Sequence, residues 1–157
     1  MSKFLTELEQ RCCQENENLW ELLSPLVYQS DMLRDPASSS SMSGVVEIPK
    51  GFICDGSSTR HIPLVSFIWG STAHREGFLH DYLFRTNSIP VVSFAMANSL
   101  FLEAMDAREK SIWVKYPMWI GVWLGGYFSY HKKTVNWKPS DKTMCGPDPG
   151  NSELVKP

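Results

Sequence analysis

His80 and Asp81 stand side by side in Leu79-His80-Asp81-Tyr82-Leu83-Phe84-Arg85, and they carry the strongest chemical signal in the chain. An imidazole exchanges protons near neutral pH, and a carboxylate is a hard oxygen ligand for a divalent cation. On a helix, neighbouring residues project about 100° apart, so the two can flank a cleft without sharing one point. Asn98 lies on the next helical stretch. Phe94, Phe101, Leu102 and Met105 fall within roughly 60° of it at 3.6 residues per turn, which points the amide at the core. A buried amide without partners costs about 1 to 3 kcal/mol, so Asn98 is expected to meet the His80 ring. Asp55 closes the strand-like run Gly51-Phe52-Ile53-Cys54 and opens the turn-forming Asp55-Gly56-Ser57-Ser58. The expected chemistry is metal-assisted hydrolysis. His80, Asp81 and Asn98 form its catalytic set, with His80 as general base, and Asp55 and Asp81 hold the divalent cation. Calcium is expected ahead of zinc, because His61, His74 and His131 make no spacing that puts two ligands on one helical face.

Each residue also has an ordinary structural reading. Asp81 and Arg85 are four apart and would make a surface ion pair. His80 would be a satisfied core histidine, Asn98 a helix-to-helix hydrogen bond, and Asp55 a turn or cap. Ser57 and Ser58 lack the flanking pattern of a nucleophile elbow.

These groups need a scaffold, and 157 residues with 43% hydrophobic and 20% charged composition suffice for one core. Residues 1–43 are expected to form an amphipathic helix followed by a Ser-rich loop, 44–137 the core domain, and 138–157 a flexible Pro/Gly-rich tail. The first helix would carry Leu5, Leu8, Leu19, Leu22 and Leu23 and close before Ser24-Pro25. Val45-Val46-Glu47-Ile48 and Phe52-Ile53-Cys54, separated by Pro49-Lys50-Gly51, predict a hairpin. Three helices follow, over about Thr72–Arg85, Val91–Lys110 and Pro117–Tyr130. The expected class is therefore α+β and mainly helical: a short hairpin, about three packed helices, and the N-terminal amphipathic helix.

A net charge of −2 argues against a broad phosphate-binding surface, so no nucleic acid is expected as partner. Cys12, Cys13, Cys54 and Cys145 form no CxxC pair, and reduced thiols are the default expectation. The first residues hold no continuous apolar run of a secretory leader, which favours residence in a cytoplasm.

Aromatic residues crowd the segment from Trp113 to Tyr130, whose unbroken apolar part, Met118 to Phe128, is too short for the roughly 20 residues of a membrane-spanning helix. Gly121 and Gly125 permit close helix packing. A buried helix over the two site helices, contact with a lipid interface and a groove for a partner protein are the three readings of this segment.

Three ordered blocks carry a family resemblance: Pro49-Lys50-Gly51-Phe52-Ile53-Cys54-Asp55-Gly56-Ser57-Ser58, His80-Asp81-Tyr82-Leu83-Phe84-Arg85, and Ala97-Asn98-Ser99-Leu100-Phe101-Leu102-Glu103-Ala104-Met105. Over about Val45 to Tyr130 the chain resembles a phage and prophage family of unknown function. The resemblance implies a viral or prophage source, phage structural proteins as partners, and residence in the host bacterial cytoplasm or the virion. More loosely, the His-Asp helix resembles that of secretory phospholipases of the A-two class. That likeness implies that His80 activates water, Asp81 binds calcium and position 98 orients the imidazole. Two departures stand against it: Phe84 replaces a tyrosine, and Asn98 replaces the aspartate that would stabilise a protonated His80. The calcium loop and disulfide framework of those lipases are also missing. A non-enzymatic virion assembly or host-interaction protein, with the polar cluster fixing helix register, is the rival reading.

Overall fold

Leu26, Tyr28, Val46 and Ile48 are fully buried, while Val27, Gln29, Val45 and Glu47 between them are not. This strict alternation is the period of a β-strand with one face on a core. The computed structural model describes residues 1–13, 16–34, 44–54 and 73–136. Among them are β1 (Lys3–Phe4), β2 (Gln10–Cys13), β3 (Asn16–Leu22), β4 (Leu26–Gln29), β5 (Val45–Ile48) and β6 (Ile53–Cys54). Three helices follow, α1 (His74–Leu83), α2 (Phe94–Ala107) and α3 (Ile112–Gly126).

The strands build two antiparallel three-stranded sheets, ordered β1-β4-β5 and β2-β3-β6. The mainly helical class is thereby corrected. Among the described residues the expected N-terminal helix is absent, and four strands occupy its span and the residues just beyond it. Leu and Glu favour helix locally, but burial in residues 1–10 alternates residue by residue, leaving Leu5 exposed while Phe4 and Leu8 pack on the core. Pairing with distant strands overrides a weak local preference. The expected hairpin is corrected as well. β5 pairs with β4 through Leu26 opposite Ile48 and Tyr28 opposite Val46, whereas β6 pairs with β3 through Trp20 opposite Cys54. The turn at Gly51, where φ is +80°, hands the chain from one sheet to the other.

α1 is buried at Glu76, Phe78, Leu79, His80, Tyr82 and Leu83, so it is covered on more than one side. Phe52 meets the rings of Phe78 and Tyr82, at 6.3 and 5.7 Å between centroids, which fixes α1 against the strands. Each such buried apolar side chain stabilises the fold by roughly 1.5 to 3 kcal/mol. On the other side α1 meets α2. Phe101 and Met105 of α2 then pack on Met118 and Val122 of α3.

α3 begins at Ile112, five residues before the expected Pro117, because Ser111 accepts a hydrogen bond from the Trp113 N–H and caps the helix. Gly121 and Gly126 are both on its buried side, and a close approach is seen at Gly126. A Cβ at Gly126 would sit 2.9 Å from the Phe84 ring.

Candidate functional site

The backbone of α1 carries His80 and Asp81, and the α2 helix opposite carries Asn98, with Ser93 capping its start by accepting from the Met96 N–H. His80 and Asn98 are both buried, and His80 Nε2 lies 3.1 Å from Asn98 Oδ1. The expected contact between the amide and the ring is present. Asn98 Nδ2 donates to the Phe94 carbonyl at 2.9 Å, so the amide nitrogen is committed and Oδ1 is the acceptor toward the ring. Nε2 must therefore be the protonated nitrogen, which leaves the Nδ1 lone pair to the opposite side in the neutral ring. There Asp81 Oδ1 lies 3.8 Å away, beyond a hydrogen bond.

The ring is held by more than Asn98. Phe84 and Phe101 flank it, with centroids 4.0 and 5.1 Å away. Gly126 lets α3 close on Phe84 from behind. Trp119 of α3 donates its indole N–H to the Asn98 backbone carbonyl at 3.1 Å, so all three helices meet at one residue.

Asp81 is only 12% exposed, and its Oδ2 accepts from the Cys54 thiol at 2.7 Å. The surface reading of Asp81 with Arg85 is overturned, since Arg85 is itself buried. Its guanidinium sits 5.4 Å over the Phe52 ring and donates to the Ile53 carbonyl at 3.4 Å. Strand β6 thus delivers Cys54 to Asp81 and Ile53 to Arg85. Asp55 lies outside the described residues, as do Ser57, Ser58 and His61. Among the described residues no group of three or more His, Cys, Asp and Glu side chains could hold a metal ion. Cys13 is disulfide-bonded, a departure from the all-reduced expectation.

Sequence reasoning missed two acidic hubs and a thiol. Glu103 of α2 accepts from Ser2 Oγ, Tyr28 Oη, Ser30 Oγ and the Met32 N–H at 2.7 to 3.1 Å, tying α2 to the first sheet. Burial and the Glu103 charge push the Tyr28 hydroxyl well above the usual phenol range, so it stays a donor. Glu76 is fully buried one helical turn before His80, and Arg108 reaches its carboxylate at 3.4 Å. Burial pushes its pKa up, against the pull of Arg108 and Lys110. Glu103 sits in an apolar helical stretch, a signal that could have singled it out, whereas Glu76, between Arg75 and Gly77, carried none. Cys54 was visible as a cysteine at the end of an expected strand, without a site role. His74 bridges α1 to the second sheet through Gln10 at 3.4 Å and the Trp20 ring edge, and burial lowers its pKa.

One family, described as "Protein of unknown function (DUF1353)", matches residues 20–122, about two thirds of the chain. The chain belongs to that family. The matched span starts in β3 and ends within α3, so it contains Cys54, His80, Asp81, Asn98 and Glu103. It begins earlier than the resemblance read from Val45 onward, and takes in strands β3 and β4. No curated protein and no solved structure matches the chain.

Proposed function

We propose that His80 is the general base of a hydrolytic centre, activating water through Nδ1 while Asn98 holds the ring. The observation that supports this most directly is the orientation of Asn98. Its amide nitrogen is occupied by the Phe94 carbonyl, so its oxygen fixes the Nε2–H form of His80 and turns the basic nitrogen toward Asp81. In this reading water gives its proton to Nδ1 and attacks a carbonyl carbon. The imidazolium then returns the proton to the leaving oxygen. Asn98 cannot balance the imidazolium charge as a carboxylate would, so that role falls to Asp81, whose Oδ1 lies 3.8 Å from Nδ1. The expected divalent cation remains part of the proposal, shared by Asp81 and Asp55, where it would stabilise developing oxyanion charge. The substrate is a lipid ester or a cell-envelope ester. The viral or prophage setting, and partners among phage structural proteins, enter with the resemblance.

The rival reading, a buried polar network that sets helix register, is favoured by the 2% exposure of His80. Calorimetric titration with calcium and with zinc on wild type and Asp81→Ala separates the two, together with ester hydrolysis and melting of His80→Gln. Cation binding lost with Asp81, and hydrolysis lost in a folded His80→Gln, support the hydrolytic centre. A strong fall in stability of His80→Gln, with no hydrolysis by wild type, supports the register network.

A further inference from the structure

Trp113, Tyr116, Ile120, Trp123, Leu124 and Tyr127 recur at helical spacing along one side of α3, and all are exposed, with Phe128 just beyond. Trp113, Leu124 and Phe128 are 81%, 71% and 72% exposed. The opposite side of the helix buries Met118, Gly121, Val122 and Gly126. A continuous apolar stripe of this size on a folded surface marks an interaction site. Its chemistry is mixed: Trp and Tyr present an apolar body with a polar tip, the side chains that favour the boundary between water and hydrocarbon. No helix among the described residues is long and apolar enough to cross a membrane.

Charge chooses between occupants. From Lys110 to Asn136 the chain has no Asp or Glu and four lysines, Lys110, Lys115, Lys132 and Lys133, although its net charge is −2. Lys115 pairs with Asp106, and Lys132 is exposed beside the end of the stripe. A second copy docked through this face would bring two basic segments together, whereas an anionic lipid surface complements them.

We propose that the outer face of α3 docks on an anionic lipid bilayer, with its aromatic side chains at the interface and its axis along the surface. The docking stands on the stripe and on the exposed Lys132 at its end. Its consequence for substrate rests on the proposed hydrolytic reading: docked in this way, α3 would hold Asn98 through Trp119 while the site acts on lipid esters.

The test is cosedimentation of the full chain with vesicles of phosphatidylcholine, alone or mixed with phosphatidylglycerol. Wild type is expected to bind the mixed vesicles, with salt weakening the binding, and to bind phosphatidylcholine less. The combined variant Trp113→Ser, Leu124→Ser, Phe128→Ser is expected to lose affinity by about a hundredfold or more, with unchanged melting. Lys132→Glu is expected to weaken binding to the mixed vesicles only. His80→Gln is expected to bind as wild type does, so a failed hydrolysis assay would leave the docking untouched. Wild type remaining in the supernatant with both vesicles would overturn the proposal. So would a combined variant that binds like wild type, or one whose sole change is loss of self-association in sedimentation velocity.

Discussion

Asn98 Oδ1 accepts from His80 Nε2 at 3.1 Å while its own Nδ2 is bound to the Phe94 carbonyl, so the amide can present only its oxygen to the ring. Replacing Asn98 by Leu keeps the volume and leaves the Nε2–H without its acceptor in a buried site. The expected cost is about 2 kcal/mol in denaturant unfolding, within the range for an orphaned buried donor. Nitrogen NMR of wild type should show His80 protonated at Nε2. A Leu variant as stable as wild type would remove Asn98 from the site's support.

Glu103 gathers four donors from the first sheet and the chain around it, two of them the fully buried Tyr28 and Ser30. Glu103→Ala is expected to destabilise by about 3 kcal/mol, because hydrogen bonds to a charged acceptor are worth roughly 1.5 to 3 kcal/mol each and are not additive. Tyr28→Phe should cost about half as much. Chemical unfolding of both variants and of their combination measures the coupling, and strictly additive losses would speak against a shared hub.

The three helices were legible because their apolar positions recur within each helix, as with Phe94, Phe101 and Met105 around Asn98. The pairing of Asn98 with His80 followed from the same geometry and the need of a buried amide for a partner. The strands at the start were not legible, since their order depends on partners far along the chain: Trp20 faces Cys54, and Tyr28 faces Val46. Glu103 and Cys54 were missed for the same reason. Nothing local tells Glu103 that Tyr28 will lie beside it, or Cys54 that Asp81 will accept a hydrogen bond from its thiol.

The Cys54 thiol stands 2.7 Å from Asp81 Oδ2 and joins β6 to α1. Cys54→Ala removes the donor without adding bulk, and is expected to lower stability by about 2 kcal/mol at neutral pH, the scale of a hydrogen bond to a charged group. Cys54→Ser restores a donor and should recover part of the loss. Equal stability of the Ala and Ser variants would show that the thiol acts by packing instead. Thiol labelling should modify the half-buried Cys12 before the buried Cys54 in native protein.

Glu76 gives a prediction with a definite sign in pH. Burial holds its pKa above the ordinary 4.5, and the neighbouring Arg108 does not offset that shift. The unfolded chain therefore ionises this carboxyl at lower pH than the folded chain does. Below 4.5 the group is protonated in both states and imposes no penalty. As pH rises from there toward the higher folded value, the unfolded state loses its proton first and stability falls, reaching its plateau once both states are ionised. Glu76→Gln keeps the shape without the charge. It should unfold at higher denaturant concentration than wild type at neutral pH, with the gap closing as pH falls below 4.5. A Gln variant that is weaker at neutral pH, with a deficit that shrinks on acidification, would mean instead that the ion pair with Arg108 outweighs the cost of burying the carboxylate.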